Sequence, residues 1–275
     1  MSPALEPFDV LFEEEGLPGV ELPAALRRIY RGDLGFREPC LYANFVSTVD
    51  GVIAIPALPG SNEAIAAGSE GDRFLMGLLR AFADIVLIGA GVLKAAPRGT
   101  WQPEKVYPAG ADAFGELRRL LGRSAAPEVA VLTGSGSIDP GHPLLATGAL
   151  VLTSRPGAGR LAPQLPAASR LLALGEETLL DGHVVVDALR ERGHRLILSE
   201  AGPHVFGSLL EAKVVDELFL TISPLLAGDA GAGSRLRLVE AADLVPLLAM
   251  TPLSLRRHEQ HLFARYGLAR CRRTE

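Results

Sequence analysis

The feature that most constrains this chain is a series of short apolar runs, each closed by a small or turn-forming residue and set between stretches of helical periodicity. The runs are Asp84 to Ile88, Glu128 to Thr133, Ala149 to Thr153, Arg170 to Leu174 and His194 to Ser199. Each is five or six residues long, the length of a strand rather than a helix, and most are continuously apolar, as strands covered on both faces are. Between them, Glu70 to Phe82 places Phe74, Leu75, Leu78, Leu79 and Phe82 on one helical stripe. Val184 to Gly193 is a second helix with glycine as its stop, and Pro203 to Ala212 a third that opens on proline, whose missing N–H costs nothing there. Strands that alternate with helices predict an α/β fold with a mostly parallel central sheet flanked by helices.

Three further stretches complete the pattern. Leu41 to Ile55 reads as a strand, a turn at Asp50-Gly51 and a second short strand, and Val215 to Ser223 as another strand. The tail from Leu253 to Tyr266 alternates as a C-terminal antiparallel hairpin. Residues 1–40 are rich in Pro, Gly and Glu and carry one amphipathic stretch, Leu22 to Tyr30; they are expected to form an N-terminal extension with one helix, ahead of a single domain over 41–275. Ala227 to Ser234 is short and low in complexity, the composition of a loop.

Charge and cysteine usage narrow the function. With 27 Lys and Arg against 32 Asp and Glu the net charge is −5, so no global basic field exists to hold nucleic acid. Cys40 and Cys271 lie far apart, which fits neither a zinc ribbon nor a disulfide framework and points to a reducing cytoplasm. No apolar run reaches the ~18 residues of a membrane span, and the first residues lack the pattern of a signal peptide. His258 and His261 are expected to face opposite sides of one strand, so no metal is expected. No G-x-S-x-G elbow indicates a hydrolase.

Two turns carry the strongest chemical signal. Glu200-Ala201-Gly202-Pro203 joins a strand to a helix through small residues, which lets the free N–H groups of the helix approach an anion. Gly89-Ala90-Gly91 follows another buried strand but lacks a full G-x-G-x-x-G, because Lys94 stands at its last position. In their order and spacing, these turns together with Ser47 to Gly51, Ser69, Asp72, Leu79-Arg80, Ala83 to Gly91, Ile197 to Pro203, Leu209-Leu210, Val215 to Leu218 and Pro224 to Gly228 resemble the reductase domain of riboflavin biosynthesis. The resemblance spans roughly residues 41–266. The H-x-E and P-C-x-x-C of the zinc deaminase that precedes this domain in larger members do not occur.

The resemblance implies a dihydrofolate reductase-like fold, NADPH as cofactor, a homodimer, and reduction of a ribosylamino-pyrimidine 5′-phosphate to its ribityl form. Glu200 and Asp50 become the acids of the reaction, with Arg80, Glu200 and the less securely aligned Arg98 toward substrate. The cofactor side falls on Ser47, Gly89, Gly91 and the turn and helix Gly202, Pro203, His204, Val205, Phe206, Gly207 and Ser208. Thr153, Ser154 and Arg155 offer two hydroxyls and a guanidinium suited to the 2′-phosphate of NADPH. Val92 and Ala96 depart from the family, which has a hydroxyl and an acid there, and this weakens the expected grip on cofactor. Two other readings stay open: a reductase of a pterin or dihydrofolate-like substrate, and an NADPH-binding protein that has lost turnover.

Overall fold

The computed structural model describes residues 5–229, 231 and 233–268. In chain order the elements begin with β1 (Asp9–Glu13), α1 (Ala24–Tyr30), β2 (Cys40–Ser47), β3 (Val52–Ala54), α2 (Ser61–Ile65), α3 (Glu70–Phe82) and β4 (Ile85–Gly89). There follow α4 (Ala90–Ala95), α5 (Pro103–Val106), α6 (Ala111–Leu120), β5 (Glu128–Leu132), α7 (Pro143–Thr147), β6 (Leu150–Thr153), α8 (Arg155–Leu161) and β7 (Arg170–Ala173). The last part comprises α9 (Gly182–Arg190), β8 (Leu196–Ser199), α10 (Pro203–Glu211), β9 (Glu217–Ile222), β10 (Leu236–Arg237), β11 (Met250–His258) and β12 (His261–Leu268).

Ten strands form one sheet in the order β1-β11-β12-β9-β2-β8-β4-β5-β6-β7. From β9 to β7 all neighbours are parallel, while β12, β11 and β1 continue the sheet antiparallel. The α/β class, the parallel sheet and the C-terminal hairpin expected from the sequence are all present. Ile85, Val86, Leu87 and Ile88 of β4 are fully buried, which explains why the run is continuously apolar. One face packs against α1, α3 and α6 through Leu26, Phe74, Leu78, Phe82, Phe114 and Leu117. The other packs against α9 and α10 through Val185, Leu189, Phe206 and Leu209.

Strand order decides where a site can form. The chain runs outward from β4 to β7 and then returns to insert β8 between β2 and β4. The carboxyl end of β8 therefore rises between those of two other parallel strands, the kind of crevice in which α/β sheets bind ligands.

The N-terminal extension holds more than the one expected helix. β1 pairs with β11 at the sheet edge, and Phe8, fully buried, stacks on Phe263 at 4.7 Å and meets Phe74 edge-on at 5.7 Å. Arg256, also buried, places its guanidinium 3.9 Å from the Tyr30 ring, donates from Nε to Tyr30 O, and pairs with Glu13. His258 and His261 correct the sequence reading: a two-residue turn reverses the chain between them, so they are directly paired across β11 and β12 and both are buried. Phe8→Ala is expected to lower unfolding free energy by about 3–5 kcal/mol, the usual cost of deleting a buried aromatic. Urea midpoints of variant and parent check this; a loss under about 1 kcal/mol would show that the extension is not part of the core.

Candidate functional site

α3 runs antiparallel to the strand it feeds, so its first turn lies toward the carboxyl edge of the sheet and its last turn toward the amino edge. Helical side chains lean toward the helix N-terminus, and Arg80, in the last turn, therefore reaches back toward the carboxyl edge. There it meets Glu200, the residue after β8. Arg80 Nε donates to Glu200 Oε1 at 2.8 Å and Nη2 to Oε2 at 2.6 Å, a bidentate pair in which each side chain is 10% exposed. A solvated charge at a helix end, the alternative for Arg80, is ruled out by this burial.

Asp72, two turns earlier on α3, was not among the expected site residues, although it sits in the Ser69 to Asp72 motif. Its N–H caps onto Ser69 Oγ at 3.2 Å and its side chain is buried against the same face of the sheet. Burial pushes its carboxyl up to about 6, the Thr221 hydroxyl offsets part of this, and the Glu200 charge adds to it. Asn44 on β2 and Thr221 on β9 share the face that carries Tyr42 and Phe219 under α3. Asn44 Oδ1 is buried with no hydrogen bond among the described residues. Buried polar groups normally find partners, so it marks a place made for something polar. The only sequence signal was polar residues inside otherwise apolar strands.

The two glycine turns expected to bind cofactor lie side by side. A Cβ on Gly89 would stand 3.4 Å from Val205 Cγ2 and 3.9 Å from Gly202 N, whereas Gly91 borders open space. A Cβ on Gly202 would come no closer than 3.9 Å to Val92 Cγ2, so Val92 forms an apolar wall of the cradle. Gly202 has φ −70° and no side chain caps α10, whose N–H groups at His204 and Val205 lack partners within the helix. His204 is exposed and Val205 half-buried. The rest of that stretch does other work. Phe206 packs on Phe45 with ring centres 4.8 Å apart, Gly207 admits the backbone of Glu240, and Ser208 presents its backbone to Gly182. Ser47, at the carboxyl end of β2, is buried and its carbonyl accepts from Ser223 N at 2.8 Å.

Other expected residues lie apart from this cluster. Thr153 and Ser154 are fully buried: Thr153 Oγ1 donates to Thr133 O at 2.5 Å, and Ser154 Oγ donates to Gly134 O at 2.6 Å while capping α8. Their hydroxyls face the protein rather than a phosphate, which leaves Arg155, exposed and paired with Glu176 at 3.0 Å, as the accessible member of the three. Asp50 accepts from Thr48 Oγ1 at 2.6 Å, Ala227 N at 3.2 Å and Gly228 N at 2.8 Å. These bonds, the Thr48 one foremost, lower its pKa to about 2, so at neutral pH it is an anion that fastens the 227–228 loop and holds no proton to give. Arg98 is exposed in the loop after α4. Two surface hollows, one of about 570 Å³ beside Arg27, Arg28 and Arg31 and one of about 390 Å³ beside Arg123 and His194, lie away from the carboxyl edge.

Asp72 gives the site a pH signature. A carboxyl whose pKa is raised by folding costs nothing below its unfolded value of 3.8, and costs stability increasingly as pH rises toward 6, where it ionises in the native state. Asp72→Asn is thus expected to be more stable than the parent by about 1–3 kcal/mol near neutral pH, the gain vanishing near pH 4. Urea unfolding across that range measures it, and a gain that does not change with pH would contradict the assignment.

Among solved structures, a pyrimidine reductase-like protein from Corynebacterium diphtheriae is similar, with a TM-score of 0.66 and 22% identity over 84% of this chain and 92% of the other. Acinetobacter baumannii RibD follows at 0.63 and 18%, over 84% of this chain and 58% of that longer one. The Saccharomyces riboflavin biosynthesis reductase Rib7 gives 0.58 and 13%, over 86% and 92%. These likenesses establish the fold. No curated protein matches significantly. The model of one family, the RibD C-terminal domain, matches residues 39–257, from the start of β2 almost to the end of β11, and the chain belongs to that family.

Proposed function

We propose that this protein is an NADPH-dependent reductase that converts a ribosylamino-pyrimidine 5′-phosphate to the ribitylamino form. The observation that carries the reading is the juxtaposition of the buried Arg80–Glu200 pair with the glycine cradle at one carboxyl edge. The cradle fits a dinucleotide. Gly91 and Gly202 leave room for a pyrophosphate, and the uncapped start of α10 presents backbone donors and a positive dipole end to it. When bound, NADPH supplies a hydride; the substrate's open imine form receives it at C1′ and a proton at nitrogen.

The chain's own residues orient and balance charge. Glu200 takes two of Arg80's donors and leaves Nη1 for a substrate carbonyl or phosphate. Because Glu200 is continuous with the cradle turn, it ties substrate position to cofactor position. Asp50 serves by holding the 227–228 loop beside the β2 end. Arg155 supports preference for NADPH over NADH; equal affinities for the two by titration calorimetry would remove that part of the reading.

A second reading, reduction of a pterin or dihydrofolate-like ring, draws on Asp72, a buried carboxyl able to hold a proton near neutral pH and face a flat ring. Steady-state assays with each substrate decide between them: oxidation of NADPH with the pyrimidine and not with dihydrofolate is expected, and the reverse would overturn the reading.

Glu200→Gln is expected to reduce turnover by about one to three orders of magnitude, the range for losing a charge-stabilising or proton-handling group, with NADPH affinity within a few-fold. Full turnover in this variant would remove Glu200 from the reaction. Gly202→Val adds no backbone strain at φ −70°, so its effect is steric alone: NADPH binding should weaken by at least about tenfold, about 1.4 kcal/mol, in a folded protein. Thermal melts with and without NADPH check this, and a midpoint that rises with NADPH as in the parent would place the phosphates elsewhere.

A further inference from the structure

The last turn of α3 ends inside the protein, and an α-helix leaves its final four carbonyls without partners of its own. Buried and unmet, each would cost about 1–3 kcal/mol. Here three of the four gain partners from two other elements. Tyr42 of β2 donates its hydroxyl to Leu79 O at 2.8 Å. Arg118 of α6 brings Nη1 to Arg80 O at 3.3 Å, Ala81 O at 3.1 Å and, just past the helix, Ala83 O at 2.9 Å, while its Nε donates to Ser124 O at 2.7 Å.

Arg118 is 1% exposed and pairs with no carboxylate among the described residues. Burial lowers its pKa to about 10, which still leaves it charged at neutral pH. Its charge is met instead by carbonyl oxygens at the negative end of the α3 dipole. The turn held in this way is the one from which the Arg80 side chain departs, and that side chain carries both bonds to Glu200. A bidentate pair tolerates little rotation of either plane, so the position of this turn sets whether both bonds form.

We propose that Arg118, assisted by Tyr42, is a positioning residue that fixes the C-terminal turn of α3 so that the Arg80 guanidinium meets Glu200 in bidentate register. For its kinetic consequence this rests on the reductase reading; for its geometry it does not.

The test uses the full chain and three variants. Arg118→Lys keeps the charge but not the planar fork, Arg118→Met keeps length without charge, and Tyr42→Phe removes one hydroxyl. Exchange of the Arg80 Nε–H with solvent, followed by ¹⁵N NMR, reads the pair directly, and the Arg265 Nε–H, bonded to Glu217 at 2.7 Å, is the control. Arg80 exchange is expected to quicken by about tenfold in Arg118→Lys and by a smaller factor in Tyr42→Phe, with Arg265 unchanged. With NADPH and the ribosylamino-pyrimidine phosphate as probes, KM for the pyrimidine should rise about tenfold in Arg118→Lys while NADPH affinity stays within about twofold. A folded Arg118→Lys in which Arg80 exchanges as slowly as in the parent overturns the proposal. Should Arg118→Met fail to fold, Arg118→Lys and Tyr42→Phe decide it on the same criterion. A parent inactive on the pyrimidine overturns the reductase reading alone, because the exchange measurement still decides the positioning role.

Discussion

A sheet covered on both faces leaves polar groups only two places to be: at the strand ends, or in pairs that satisfy one another. In β4, four consecutive residues are fully buried, and each such aliphatic side chain contributes about 1.5–3 kcal/mol by leaving water. Each buried arginine among the described residues is accordingly matched. Arg265 meets Glu217 at 2.7 Å, Arg256 meets Glu13 and the carbonyl of Tyr30, and Arg118 meets the end of α3. The Arg80–Glu200 pair follows the same rule but stands at the carboxyl edge, where β8 has been inserted between β2 and β4. What makes it a candidate for chemistry is its place beside two open glycine turns, since a buried ion pair by itself is weak evidence even for stability.

Much of this fold was legible because it is written in local periodicity. The stripe from Glu70 to Phe82 became α3 with those bounds, and the run at 84–88 became β4 shifted by one residue. The helix read from Val184 begins two residues earlier, because Asp181 caps it by accepting from His183 N and Val184 N. The extension was less legible. Phe8 enters the core and β1 joins β11, but both depend on a strand some 240 residues away, which no local pattern reveals.

The site divides along the same line. Arg80, Glu200 and the two glycine turns stand in motifs whose order carried the resemblance, and the fold brings them together. The hydroxyls of Thr153 and Ser154 looked available in sequence, yet the α8 cap and the β5 end consume them. His258 and His261 misled in the opposite sense: the tail read as a hairpin, but alternation did not show that its turn falls between them. Asp72 was overlooked because a carboxylate in the first turn of a helix is ordinary, and only the strands beneath it make it buried.

In the function proposed above, hydride passes from a nicotinamide held at the glycine cradle to the sugar carbon of a pyrimidine substrate held at Arg80 and Glu200. Its most direct measurement is isotopic. NADPH carrying deuterium at the transferred C4 position is incubated with the protein and the ribosylamino-pyrimidine phosphate, and the product is examined by mass spectrometry and NMR. One deuterium at C1′ of a ribityl product is the expected result. NADPH that stays unoxidised, or a product without deuterium at C1′, would contradict the account.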